Sequence, residues 1–434
     1  MAHSNWIIAT VVATLVAGCA DREVILTGKR EELRGEAPVI ELPSETRSIR
    51  LAGQSNNAEW THRIGTPKYR TSHPALTATP TLAWSASIGE GEKRRQRIST
   101  DPIVADGRIF TVDSTATLTA TSTSGARLWS IDMTPAGDKP NEASGGGLAI
   151  AGGKLYVTTG FGRLLAVDPT SGEVLWEQRL GAVGNGSPTV YGGLVYVVSG
   201  DDLAWALDAD TGRIEWQLSS SPDVNNLQVP SAPAVSDKFV IFGFGSGELQ
   251  AAFRKGGLRF WDAGIQGQRV GRALSTVGDI SGDPVIVGKT VYAANHSGRL
   301  VALDLDTGAR KWTAEEGALS PVWPAGDSLF LVNEQNQLVR IDASNGEIIW
   351  AKRLPDFVKD RPRRQVRRFG HFGPVLAGGQ LVVASSDGQL RSFDPASGDL
   401  IRTTEIPGGA TSNPVVAGGT LYVVNKKGEL LAFR

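Results

Sequence analysis

The chain has 434 residues, with 44 Lys and Arg against 45 Asp and Glu. This near-neutral balance gives no electrostatic footprint for nucleic-acid binding. The one Cys, Cys19, excludes an internal disulfide framework and leaves no thiol pair for metal or redox work.

Residues 6–17 are almost wholly apolar. That run is too short to span a bilayer and fits a signal-peptide core, although no Lys or Arg precedes it. Val16-Ala-Gly-Cys19 follows and resembles a bacterial lipobox. The resemblance implies that residues 1–18 are removed and that Cys19 becomes the first mature residue and carries lipid. Ala20, rather than Asp, implies sorting to the outer membrane. Several acyl chains on one Cys exceed the threshold for stable anchoring. Residues 19–78 carry charges, Pro and Gly but no repeat. They are expected to tether the lipid to a folded domain over 79–434, with part of the tether packing on that domain.

From Trp84 onward one phrase recurs: Asp, two or three small residues, Gly, then a Trp four residues after the Gly. It reads Asp168-Pro-Thr-Ser-Gly172 before Trp176, and Asp208-Ala-Asp-Thr-Gly212 before Trp216. Further copies precede Trp312 and Trp350, and weaker ones run from Gly125 to Trp129 and from Gly257 to Trp261. Asp394-Pro-Ala-Ser-Gly398 keeps the turn but has Arg402 where the Trp would stand. Each unit opens on an apolar run such as Ser187-Pro-Thr-Val-Tyr-Gly192, followed by an alternating strand such as Leu194-Val-Tyr-Val-Val198. Period-2 alternation, β-branched residues and Gly/Asp turns predict four antiparallel strands per unit, the last bearing the Trp. Sheets of this kind repeated every 40–50 residues make a β-propeller.

The final unit stops after its third strand, Gly428-Glu-Leu-Leu-Ala-Phe433. Thr81-Leu-Ala-Trp84 is a Trp strand with no three strands before it. The fragments complement each other, which predicts an all-β, eight-bladed propeller closed by the N-terminal strand. From each opening Pro to its Trp the spacing is 27 to 29 residues, whereas from Trp to the next Pro it runs from 9 to 24. The blade is therefore constant and the connections between blades vary. All of those connections emerge on one face, which makes that face the expected place of function.

No catalytic grouping stands out. His62, His73, His296 and His371 lack metal-ligand spacing and are expected to be satisfied surface or turn residues. Most Asp residues belong to the repeated turn, and no Gly loop sits where it could cradle phosphate. No cofactor and no enzymatic activity are expected. Two basic runs lie in variable connections: Lys93-Arg-Arg-Gln-Arg97, and the stretch with Arg361, Arg363, Arg364, Arg367 and Arg368. They are either solvated loops or a contact for an acidic partner surface or lipid headgroups.

The Trp repeat is similar to that of quinoprotein dehydrogenases, which bind pyrroloquinoline quinone and calcium beneath an adjacent Cys pair that this chain cannot form. With the lipobox and eight blades, the chain more closely resembles the BamB family of lipoproteins of the β-barrel assembly machine. The resemblance covers roughly residues 80–434. BamB proteins carry a Leu-x-Leu-Arg loop before a Ser-Ala-Pro; here the stretch is Asn225-Asn-Leu-Gln-Val-Pro-Ser-Ala-Pro233. Leu227 matches, while Asn225 and Gln228 depart. A family Asp-x-Asp loop corresponds to Asp279-Ile-Ser281, where Asp279 matches and Ser281 does not. The resemblance implies that these residues meet a POTRA domain of a BamA-like partner. It also implies a non-enzymatic scaffold on the periplasmic side of the outer membrane that helps unfolded outer-membrane proteins reach that partner. The alternatives are a quinone-dependent periplasmic dehydrogenase and a ligand-sensing propeller.

Overall fold

Alternating apolar residues and two-residue Gly turns fold each repeat into a meander of four antiparallel strands. Gly192 and Gly193 both have positive φ (62° and 81°), the conformation a tight two-residue hairpin demands. The computed structural model describes residues 41–183, 186–221, 231–265, 267 and 278–434. Cys19 and the stretch with Asn225, Leu227 and Gln228 lie outside the described residues. Among the described residues are eight four-stranded sheets. Blades 1 to 7 span 103–132, 146–179, 189–219, 234–264, 282–314, 323–353 and 371–405. Blade 8 joins residues 415–433 to the strand Leu82–Ser87. Leu82 pairs with Phe433 and Trp84 with Ala432, so the expected ring closure and the count of eight both hold.

The second and third strands of each blade are buried between neighbouring sheets, as in Leu194–Ser199 and Leu203–Asp208. The fourth strand faces solvent on alternate residues. Its Trp makes the inter-blade contact. Opposite the Trp stands a small residue, Ala166 for Trp176 and Ala206 for Trp216, and the register then shifts by one. The indole lies on the Gly of the next blade's Asp turn. A Cβ at Gly212 would sit 2.5 Å from Trp176 Cε3, so only Gly fits there. Trp176 Nε1 also donates to the Ala209 carbonyl of that turn at 3.2 Å. The same donation runs from Trp129 to Pro169, from Trp216 to Arg254, from Trp261 to Leu305, from Trp312 to Ala343 and from Trp350 to Pro395. The Asp closes its turn by accepting backbone N–H bonds: Asp168 Oδ1 takes those of Thr170 and Ser171, each at 2.8 Å. Those bonds, Ser171's first, hold the Asp168 carboxyl below its usual pKa.

Arg402 now has a physical reason. Its Trp would dock on the turn between the third and fourth strands of blade 8. That turn does not exist, because the fourth strand comes from the other end of the chain. Trp84 shows the complementary case. It docks on Gly125 of blade 1, whose short Thr-Ser-Gly turn lacks the Asp, and the indole N–H finds no acceptor.

The described part of the segment before the first strand packs on the propeller. It runs over the face formed by the hairpin and Asp turns, here called the turn face, and touches all eight blades in the span 57–73. Asn57 Nδ2 donates to Val416 O of blade 8, and Trp60 pairs with Val104 of blade 1. Ile150 N of blade 2 donates to Thr61 O, and Val190 N of blade 3 to His62 Nε2. Arg63 meets Asp283 of blade 5, and Lys68 meets Asp237 of blade 4. Arg70 Nη2 donates to Pro321 O ahead of blade 6, and Gly379 N of blade 7 donates to His73 Nε2. Upstream, the fully buried Arg340 of blade 6 donates to the carbonyls of Arg47 and Ser48.

Candidate functional site

The inner strands of a propeller leave an axial channel, and here the turn-face segment seals one end of it. Trp60 stacks on Trp323 of blade 6 with ring centroids 6.3 Å apart, and the Arg70 guanidinium lies 4.5 Å from the Trp323 ring. Burial pulls the Arg70 pKa down to about 9, which leaves it charged at neutral pH. Arg63 points into the axis between two buried carboxylates, 2.6 Å from Asp283 Oδ2 and 3.9 Å from Asp101 Oδ2. Burial opposes its charge, but Asp283 and Asp101 outweigh that cost and raise its pKa. Burial likewise pushes the Asp283 carboxyl up, against the pull of Arg63 and of the Ala232 N–H at 2.7 Å. With a guanidinium at contact distance, the pair is ionic. Asp101 in turn accepts both the Asn413 N–H and its side-chain amide, at 2.7 and 2.8 Å.

From this floor a funnel of about 420 Å³ opens toward the opposite face, where the inter-blade connections emerge. Its walls combine Ile98, Leu319, Val332 and Phe372 with the polar edges of Asn333 and His371. His371 Nε2 donates to the Pro355 carbonyl at 2.8 Å and Nδ1 accepts from Ser385 Oγ at 2.7 Å; burial lowers its pKa. All four expected surface or turn histidines are buried. His62 is the extreme case: Nε2 accepts from Val190 N, Nδ1 contacts Thr61 Oγ1, and burial drives the pKa to about 3. Among the described residues no group of three or more His, Cys, Asp or Glu is arranged to hold a metal ion.

Sequence reasoning missed this axis. A partial signal lay in the residue before an opening Pro: Asp101, Asp283, Ser320 and Asn413 hold that place and line the funnel, whereas Ser187, Ala232 and Gly373 hold it and do not. The inserted cation came from a segment outside the repeat, where nothing periodic marked it.

Of the residues singled out by the connections, Asp279 and Ser281 lead into blade 5 on the variable face but are buried, at 4% and 8% exposure. Ser281 Oγ donates to Ala318 O at 2.6 Å. The two basic runs are brought together. Lys93, Arg94, Arg97, Arg367 and Lys426 line one basin with Glu92. Arg361, Arg363, Arg364 and Arg367 are exposed, whereas Arg368 is held by Asp356 at 2.8 Å and by Glu334 O at 3.0 Å.

Eight sheets, joined at seven of their eight junctions by Trp-on-Gly docking, define the class: an eight-bladed, Trp-docked β-propeller of the kind built on the quinoprotein repeat. The family model described as outer membrane protein assembly factor BamB matches residues 115–352 and 361–434. The BamB of Salmonella typhimurium is 30% identical over 335 residues, covering 76% of this chain and 82% of that protein. The Escherichia coli BamB is 30% identical over 332 residues with the same coverage. The chain belongs to the BamB family of outer membrane protein assembly factors. Among solved structures, BamB from Moraxella catarrhalis superposes with a TM-score of 0.67 at 20% identity, over 82% of this chain and all of that one. A quinohemoprotein alcohol dehydrogenase from Comamonas testosteroni does so at 0.63 and 15% identity, over 87% and 81%, which shows the shared fold alone.

Proposed function

We propose that this chain is a non-enzymatic scaffold of the barrel-assembly machine. It is anchored by lipid on Cys19 at the periplasmic side of the outer membrane. It binds a POTRA domain of a BamA-like partner through the connections into blades 4 and 5, and so helps unfolded outer-membrane proteins reach that partner. The observation that carries the reading is the occupancy of the two faces. The chain's own residues 42–78 cover the turn face, so the connections of the opposite face are left for a partner, on a propeller whose relatives are assembly factors. Leu227 is the apolar anchor of that contact. Asp279, being buried, acts by holding its loop rather than by touching the partner.

The axis argues against the quinoprotein alternative. Its two buried carboxylates already neutralise Arg63, so they do not form a free pair for calcium, and no Cys pair exists to lie over a quinone. Adding pyrroloquinoline quinone and calcium should produce no dye-linked oxidation. The deciding experiment is capture of a POTRA fragment by the purified protein. Leu227→Ala should abolish capture with an unchanged melting temperature. Asp279→Arg should weaken capture and also lower the melting temperature. Capture that survives both substitutions, or that is lost equally with Asp304→Ala in a turn of the other face, would sink the reading.

A further inference from the structure

The variable face has a second sector that the partner reading does not use. Blades 4 and 5 lie on one side of the ring; the connection between blades 6 and 7, the loop of blade 8 and the connection into blade 1 lie on the other. Residues 356–369 fold back as an ordered hairpin. Phe357 pairs with Arg368, Val358 N donates to Arg367 O, and Phe369 N donates to Asp356 O. A single 3-10 turn, Pro362–Arg364, shapes the tip. Arg368 is spent on holding this hairpin, through Asp356, Glu334 O and the Phe357 ring at 5.2 Å.

The remaining cations are not spent. Arg361, Arg363, Arg364 and Arg367 have no ion-pair partner among the described residues, and neither do Arg94 and Arg95 of the neighbouring connection. In that connection Glu90 and Glu92 are taken by Lys93 and Arg97, each at 2.9 Å. Arg367 meets Arg94, Arg97 and Lys426 around the basin described above. The crowding is felt at Lys426: burial lowers its pKa, and Arg367 and Arg97 lower it further against Glu92. Five cations against the one carboxylate of Glu92 in the basin's lining raise the energy of the free protein, and an arriving anion relieves it.

Apolar side chains stand among these cations. Val366, between Arg364 and Arg367, is 87% exposed, the largest value among the exposed large apolar residues described. Val358 on the same hairpin and Leu319 at the funnel rim are exposed as well. A contact made by salt bridges alone has no use for an uncovered Val among its arginines. A lipid interface does, because apolar tips enter the acyl boundary while flanking arginines stay with the phosphates. We propose that this basic sector is a peripheral membrane contact, in which the 356–369 hairpin and the 93–97 loop seat on the phosphate headgroups of an anionic lipid leaflet.

The contact is tested on the full chain carrying Cys19→Ala, which cannot be lipidated. Co-flotation is measured with phosphatidylcholine vesicles, with or without phosphatidylglycerol. Any background from the apolar N-terminus is common to both vesicle types. Phosphatidylglycerol should strengthen binding, and salt should weaken that increment. Each basic residue at an anionic surface contributes about fivefold. Arg363→Glu/Arg364→Glu/Arg367→Glu should therefore cut the increment by at least about 100-fold with an unchanged melting temperature. Leu227→Ala should leave it intact, which separates this contact from POTRA binding. Equal flotation on both vesicle types would overturn the proposal, as would a phosphatidylglycerol increment that survives the triple substitution. Binding of polyglutamate without any phosphatidylglycerol dependence would assign the sector to an acidic protein instead.

Discussion

Trp60→Ala tests whether the turn-face segment is part of the fold. Trp60 is 2% exposed, its backbone pairs with Val104, and its ring stacks on Trp323 across the axis. Truncating a buried Trp costs about 3–5 kcal/mol, and the aromatic pair places this site toward the upper part of that range. One term works the other way. The Trp60 indole N–H has no acceptor, so removing it leaves no orphaned partner and spares the protein one buried donor. A loss of about 4 kcal/mol is therefore expected. The described residues, about 370, at roughly 2.1 cal/mol/K each give an unfolding entropy near 0.8 kcal/mol/K, so the melting temperature should fall by about 5 °C. Differential scanning calorimetry measures this directly. A fall below about 1 °C would mean that the segment only rests on the ring. In that case, deleting residues 42–78 would be as harmless as expected of a tether.

The other predictions follow from individual sites. Trp350→Ala should cost about 3–5 kcal/mol, because Trp350 is fully buried and bonded to Pro395 O; half-buried Trp84, with no acceptor, should cost about 2–3, and denaturant titration ranks them. Equal losses would show that docking on an Asp turn adds nothing. His62 is neutral in the fold, with its pKa near 3 rather than 6.5, so the unfolded chain binds the extra proton between those values. Its contribution is complete above pH 6.5 and is lost on acidification toward pH 3, at up to about 1.4 kcal/mol per pH unit. His62→Gln should flatten that slope in stability measured across the window, and an unchanged slope would place the titration elsewhere. Cys19→Ser should move the protein from the outer-membrane fraction to the periplasm or leave it as precursor; normal processing with membrane retention would refute the lipid anchor.

The propeller was legible because its information is local and repeated. An Asp turn, a Gly that only an indole can cover and a Trp four residues later recur often enough to identify one another, and the missing Trp at Arg402 marks where the ring closes. The axis was not legible. Arg63 and Asp283 are 220 positions apart, and nothing in either neighbourhood announces the other. Burial was misjudged as well: His62 and His73 sit in an irregular stretch that reads as surface until it is seen packed on distant blades, and His371 opens a strand whose burial against Pro355 and Ser385 no motif marks. The two basic runs were each visible. Their convergence around Lys426 depended on the order of blades in the closed ring, which no single run contains.

The span 57–73 has a consequence for how the chain comes into being. Its residues are made early, yet the groups that hold them lie as far along as Gly379 and Val416. Thr81 waits likewise for Arg434, with which it exchanges two backbone hydrogen bonds. The early residues therefore cannot reach their places until the last blade has been delivered. Contacts of such sequence separation are slow to form, and the span of exposed apolar strand is correspondingly long-lived. A chain shortened at its C-terminus therefore loses its blade 8 and, with it, the two hydrogen bonds by which Asn57 anchors the seal to Val416 and Gly418.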